Sequence, residues 1–374
     1  MLSFISAGES HGEGIVAILE GMVAGLKVDA SYINEDLKRR QGGYGRSVRM
    51  KMEKDTAHIL AGMHHKVTTG SPIALMVKNN VRTIEKLPAI TSPRPGHADL
   101  AGMLKYGIKD ARTILERSSA RETVARVAVG SICKKFLEDF GVFGFFHVVN
   151  IGGVEANTGD LSLKELEKKS SRSALWCADQ EAEKCMREKI DTAAARGDTL
   201  GGVGELVMTN VVAGVGTFTS WRKRLDARIA EALMSIPSVK GVEIGIGFRG
   251  AHLAGSLFHD PVYYSKKEGF HRSSNNAGGI EGGMSNGEVI TVRLMAKPIP
   301  TLTQGLDSVN VVTKETTQAH NERHDTVVLG ACGVIAQAMM SFVLADAYLE
   351  KFGGDSLHET KMNFLHYCES IQRF

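Results

Sequence analysis

From Val327 to Ala345 the chain runs through apolar or small residues, with Gln337 the one large polar side chain among them. The stretch is long enough to cross a membrane. It stands alone in that respect: Arg323, His324 and Asp325 precede it, Asp346 and Glu350 follow in the same predicted helix, and Gly353-Gly354 supplies a stop. A helix with no polar face needs apolar partners on every side. The reading that fits is a helix buried in a large soluble core, and no membrane span is expected.

The rest of the chain can supply that core. Its 374 residues are enough for one large domain or about two to three average ones. With 43% hydrophobic and 23% charged residues the composition is that of an ordinary globular protein. A net charge of +3 argues against a dedicated nucleic-acid binder and leaves local basic clusters to be explained. Cys133, Cys177, Cys185, Cys332 and Cys368 form no CxxC pair and are odd in number, so they read as reduced thiols of a cytoplasmic protein. Met1 leads straight into a strand-like segment, and no signal peptide is expected.

Strand-like runs occur at His58–Met63, Ile73–Lys78, Val142–Ile151, Glu205–Val212, Val242–Phe248 and Val289–Met295. Helical stretches are expected over Ala120–Phe140, from Ser162 to about Ala195, over Arg222–Ile236 and over Val327–Phe352. Strands and helices do not alternate in a βαβ rhythm and no GxGxxG follows a strand, which disfavours a Rossmann domain. The pattern suits an α+β fold with antiparallel sheets packed on a helical layer. Residues 155–200, rich in charge, read as a more exposed helical appendage that begins at a capping pair, Ser162 and Glu165.

Several segments could carry chemistry. In Gly8-Glu9-Ser10-His11-Gly12 a histidine on a tight turn is free to project and can exchange a proton near neutrality; a hydrogen-bonded surface histidine is the plain alternative. Lys38-Arg39-Arg40-Gln41-Gly42-Gly43-Tyr44-Gly45-Arg46, followed by Arg49, Lys51 and Lys54, could close on a multiply charged oxyanion or be a solvated basic loop. Arg94-Pro95-Gly96-His97-Ala98-Asp99 offers a second histidine, with an Asp that could orient the ring or cap a helix. In Glu116-Arg117-Ser118-Ser119-Ala120-Arg121-Glu122-Thr123, Ser119 and Glu122 form a candidate capping box, so a helix should begin near Ala120 with its N–H groups and the arginines facing an anion. An ordinary capped helix with solvated arginines fits the same pattern. Asn275 to Gly287 resembles a backbone nest. Lys297-Pro298-Ile299-Pro300-Thr301 is a stiff extended stretch with a cation and a hydroxyl. Asp325 could cap the apolar helix or act as a base. There is no metal motif. These residues point to an enzyme-like site for a phosphorylated anion with two histidines for proton transfer, and leave the reaction open.

Taken in order, these segments resemble the chorismate synthase family along nearly the whole chain. Any one of them is weak, whereas all of them in the family's order are specific. The resemblance implies a single domain over 1–374 in which a helical layer is sandwiched between antiparallel β-sheets, and a homotetramer. It implies conversion of 5-enolpyruvylshikimate 3-phosphate to chorismate and phosphate by a trans-1,4-elimination. The family needs reduced FMN, which is thought to lend an electron and recover it, with NADPH as reductant directly or through a separate flavin reductase. By the same resemblance His11, with Ser10 beside it, protonates the leaving phosphate. His97 protonates the reduced flavin near N1, and Asp325 works with flavin N5 to remove the C6 proton. Arg40, Arg46 and Arg121 match positions holding the substrate's phosphate and carboxylates, Arg40 and Arg46 also matching an NADPH contact. Arg117, Ser118, Ser119, Ser238, Gly282, Lys297, Pro298, Ile299, Pro300, Thr301 and Arg323 match flavin contacts. The chain departs from the family at Val23 and Thr326, where proline is common, and in a short 80–92 loop without tryptophans; none of these removes a proposed catalytic group.

Overall fold

Alternation sets the first sheet. Ile15, Ala17 and Leu19 are buried along Gly14–Glu20, and Ile73, Leu75 and Val77 along Ile73–Lys78, in antiparallel register with Ile15 opposite Val77 and Leu19 opposite Ile73. One face of each strand therefore turns toward the interior. The computed structural model describes residues 1–46, 54–267, 269–322 and 324–374. Arg49, Lys51 and Arg323, named above, lie outside the described residues.

The strands of the two main sheets are β1 (Ser3–Ala7), β2 (Gly14–Glu20), β3 (Ala57–Ala61), β4 (Ile73–Lys78), β5 (Phe143–Ile151), β6 (Gly202–Thr209), β7 (Val239–Ile244) and β8 (Ile290–Ala296). The helices of eight residues or more are α1 (Ala30–Gln41), α2 (Asp99–Tyr106), α3 (Ala111–Ser118), α4 (Thr123–Glu138), α5 (Leu163–Arg172), α6 (Gln180–Ala195), α7 (Leu225–Met234), α8 (Leu329–Phe352) and α9 (Leu357–Gln372). The first sheet has the order β1-β2-β4-β3, and the second β7-β8-β6-β5 with the short strand Val154–Glu155 at its edge. All of these pairings are antiparallel.

Between the sheets lie the helices. α4 packs on β2 and β4, α8 packs on β5 and β6, and α4 and α8 pack on each other. The result is the mixed α+β layering that the sequence pattern suggests. The apolar run becomes α8, with 89% of its most hydrophobic window buried inside the fold. It is a core helix, and one contiguous cluster joins it to both sheets. α4 and α8 touch at Gly130, where a Cβ would stand 2.4 Å from that of Ala338 and 2.5 Å from its carbonyl oxygen. A side chain there would force the helices apart, at about 1–3 kcal/mol or more. Gln337, the polar exception, accepts from Arg39 Nη2 at 3.2 Å and donates to the Gly144 carbonyl.

Residues 155–200 form α5 and α6. The Ser162–Glu165 capping box is present in full. Both helices are exposed outside a narrow buried stripe, and Ala182, Met186 and Ile190 of α6 join the main core. The predicted box at Ser119–Glu122 does not form. Ser119 accepts from Arg121 N within a 3₁₀ turn over Ala120–Glu122, α4 starts at Thr123, and Glu122 binds Arg126 (3.0 Å) and Ser6 (3.2 Å) instead. Asp325 does not cap α8 either: the cap position is Val328, without a side-chain bond.

Candidate active site

The loops at one edge of the helical layer enclose a cavity of about 440 Å³, within the usual range of about 300–1,000 Å³ for small-molecule sites. α8 turns Ala331, Cys332 and Ile335 into it, its cap residue Val328 lies beside them, and Leu115 and Pro300 extend the apolar wall. Burial pushes the Cys332 thiol up to about 12, so it stays neutral there. Around this wall stand Ser10, His11, Arg40, Arg46, His97, Ser118, Ser119, Arg121, Ser238, Lys297, Ile299, Thr301 and Asp325. Segments scattered along the sequence thus converge on one site.

His11 sits in the β1–β2 loop, held from α3. Glu116, 3% exposed, accepts from the His11 backbone N–H (2.8 Å) and stands 2.9 Å from its Nδ1. A carboxylate only accepts, so Nδ1 carries the hydrogen in this contact, and the ring lies in the cavity lining. Ser10 N donates to the Glu116 carbonyl, and Ser119 Oγ lies 3.2 Å from Ser10 Oγ.

His97 is held in the same way by Asp99. Arg94 clamps that carboxylate with Nε at 2.9 Å and Nη2 at 3.1 Å, and reaches Thr301 Oγ1 at 3.1 Å. Arg94 Nη2 also lies 3.0 Å from His97 Nδ1. Asp99 can only accept, so the ring proton belongs to the His97–Asp99 bond and Arg94 donates to the carboxylate. Burial works to raise the Asp99 carboxyl, but bonds from His97 and Arg94 outweigh it and hold it well below the usual range. Asp99 thus orients the ring; no side chain caps α2.

Cations dominate the remaining wall. Asp55 binds Arg40 Nη2 at 2.9 Å and also pairs with Arg121, whose Nε donates to Asn79 at 2.8 Å. Arg46 pairs with Asp325 at 2.7 Å. Burial, opposed by Asp55, lowers the Arg40 guanidinium from its ordinary value. The Nε atoms of Arg40 and Arg46 are buried without a partner among the described residues, and such donors are costly to leave unmet. Burial, then the neighbouring Lys240, lowers the Lys297 amine, which donates to the Gly96 carbonyl. Ser238 lies at the cavity with a left-handed φ of 75°, and its carbonyl accepts from Lys297 N.

Three matched positions stand elsewhere. Arg117 is exposed and braces the β1 loop by donating to the Ser6 carbonyl (2.8 Å) and the Gly8 carbonyl (3.3 Å). Pro298 is exposed outside the lining. Gly282 lies in an exposed turn between Ile280–Glu281 and Met284–Ser285. The Asn275–Gly287 nest holds the protein's own carboxylate: Asn276 N and Ala277 N donate to Asp260 at 2.8 and 2.9 Å. Lys54 is exposed and outside the cavity lining. Sequence reasoning gave no role to Glu116, Asp55, Asn79, Arg94, Arg112 or Glu322. Only Arg94 and Glu116 lay in segments already singled out.

The lining fits a flavin nucleotide together with an anionic substrate. Its apolar wall suits a ring system, its hydroxyls and Lys297 suit polar edges and a phosphate, and the orphaned guanidinium nitrogens suit further anionic oxygens.

The family model described as chorismate synthase matches residues 2–349. A chorismate synthase of Carboxydothermus hydrogenoformans is 48% identical, over the full length of both chains. One of Geobacter sulfurreducens is 47% identical and one of Listeria welshimeri 46%, each again over both full lengths. A crystal structure of chorismate synthase superposes with a TM-score of 0.84 at 41% identity, covering 100% of this chain and 99% of the other. With this breadth of agreement in sequence and in fold, the chain belongs to the chorismate synthase family.

Proposed function

We propose that this chain converts 5-enolpyruvylshikimate 3-phosphate to chorismate and inorganic phosphate by a 1,4-elimination that depends on reduced FMN. The observation that carries the reading is a cavity with an oriented histidine, a carboxylate and a surplus of cations, two of them, Arg40 and Arg46, with a donor unmet among the described residues, in a full-length member of this family. Loss of phosphate breaks a C–O bond and leaves charge on oxygen. Arg40, Arg46 and Arg121 hold the substrate's phosphate and carboxylates. Protonated His11, held at Nδ1 by Glu116, gives its Nε2 proton to the departing phosphate, with Ser10 alongside. Asp325, positioned by Arg46, forms the basic pole for the proton lost from C6. Together these two steps remove a proton and a phosphate and create one double bond, with no net redox change.

Reduced FMN, when bound, supplies an electron to the reacting substrate and takes it back. Ser118, Ser119, Ser238, Lys297, Ile299, Pro300 and Thr301 are the residues that hold it, and His97 holds a proton at its polar edge. The apolar wall from α8 excludes water from the same space. Arg117, Pro298, Gly282 and Arg323 belong to the flavin set by resemblance alone. NADPH reaches the flavin directly, with Arg40 and Arg46 as its contacts, or through a separate reductase. The working form is a cytoplasmic homotetramer of one-domain subunits.

A flavin- or phosphate-binding module would need the cradle but not the histidines. His11→Ala and His97→Ala separate the two readings: turnover lost in His11→Ala with FMN binding retained, and turnover lowered in His97→Ala, supports the enzyme, and turnover unaffected in both overturns the proton-transfer roles.

A further inference from the structure

Three charged side chains to which the sequence assigns no role, Glu116, Arg112 and Glu322, join the two ends of the proposed elimination. Glu116 on α3 accepts two bonds from His11, one from the backbone and one from the ring. One turn earlier on the same helix, Arg112 lies 4.0 Å from Glu116 Oε1 and 2.7 Å from Glu322 Oε1. Glu322 belongs to the segment that carries Asp325 three residues later. Arg112 also donates to the Pro88 carbonyl at 3.3 Å, in the 80–92 loop. Arg112 and Glu116 are 6% and 3% exposed, so neither is a solvated surface charge. Burial raises the Glu322 carboxyl, but bonds from Arg112 and His320 outweigh this and keep it below its usual range.

We propose that Glu116 is the positioning residue for His11, fixing the ring with its hydrogen on Nδ1 and Nε2 toward the leaving group, and that Arg112 couples this carboxylate through Glu322 to the segment bearing Asp325. The inference rests on the role given to His11 above. Three features argue for it over a merely structural ion pair. Glu116 grips both the main chain and the ring of one residue, which leaves His11 little rotational freedom. Its ring contact is to Nδ1, the nitrogen other than the one given the proton transfer above. Its own cation is 4.0 Å away, so His11 is its nearer partner. A buried carboxylate in this relation to a catalytic imidazole selects one tautomer, and its loss leaves a ring that is present but misassigned.

The test uses full-length protein, reduced FMN and substrate deuterated at C6. Glu116→Gln keeps the shape but can offer its amide N–H to Nδ1, favouring the opposite tautomer. It should lower kcat by at least about 10²-fold, the low end of what a positioned general acid contributes, with KM and FMN affinity nearly unchanged. The C6 deuterium isotope effect should shrink, because phosphate departure becomes the slower event. Glu116→Asp, which retains the acceptor on a shorter arm, should recover part of the rate and of the isotope effect. It also serves as the working variant should the glutamine form not fold. Arg112→Gln should lower kcat less than Glu116→Gln does. A structural role would reduce the active fraction and leave the isotope effect as in the wild type; that result, or full activity in Glu116→Gln, overturns the proposal. A wild-type protein that makes no chorismate would instead overturn the reading beneath it.

Discussion

His11 and His97 are held alike and balanced differently. Each ring has a buried carboxylate at Nδ1. Asp99 comes from two residues along the same turn and is gripped by Arg94 through two guanidinium nitrogens and a backbone N–H at 3.1 Å. Glu116 comes from a helix 105 residues away and gives its short bonds to His11, with Arg112 more distant. The His97 carboxylate is thus neutralised by its own arginine and doubles as a structural rivet. The Glu116 carboxylate spends its charge on the imidazole. The role proposed for His11, handing a proton to a leaving group, gains from the second arrangement, and the one proposed for His97, beside a cofactor edge, is served by the first.

The sharpest break of this comparison is His11→Ala. Turnover should fall by about 10²–10⁴-fold with FMN affinity preserved, and His97→Ala should cost less turnover and more flavin affinity. Single-turnover rates and flavin titrations read both, and equal losses would erase the distinction. Next comes Asp99→Asn, which strips Arg94 of a fully buried partner. Breaking such a pair costs about 3–5 kcal/mol, visible as a lowered Tm, whereas Glu116→Gln should cost less stability than activity. Smaller still, Arg46→Gln should weaken substrate binding by about 10- to 100-fold, the worth of one charge-assisted bond, read as KM at fixed FMN.

The smallest effect is in pH. The Asp99 carboxyl is lower in the folded chain than in the unfolded one, so its contribution is present above the unfolded value of about 4 and is lost as pH falls below it. Glu205, where burial is outweighed by His147 and Arg293, is lowered to about 2 and behaves likewise. Acid titration of Tm should show stability draining away below about pH 4, with a shallower slope in Asp99→Asn.

Local signals in the sequence were legible where one residue type at one spacing decides the outcome. α8 was visible because no other role suits so long an apolar run, and the Ser162–Glu165 box because both partners lie in one turn. α1 was harder to see: Ile33 and Leu37 are its only buried apolar positions, among charged neighbours. The Ser119–Glu122 box failed because Arg126 and Ser6 offered Glu122 better partners, one of them from a distant strand. His11, His97 and the arginines stood out from their glycine-framed turns. Their partners did not, because Glu116, Asp55 and Asn79 meet them only through the fold, and nothing in local spacing encodes a contact across two layers. The glycine-rich nest misled for the same reason: Asp260 lies well before it in the chain and fills it.

The most direct test is an anaerobic assay of the purified protein with chemically reduced FMN and 5-enolpyruvylshikimate 3-phosphate, following chorismate absorbance and phosphate release together. The account predicts chorismate and phosphate in equal amounts, only with flavin in its reduced state. A folded sample that binds reduced FMN yet releases neither product would contradict it.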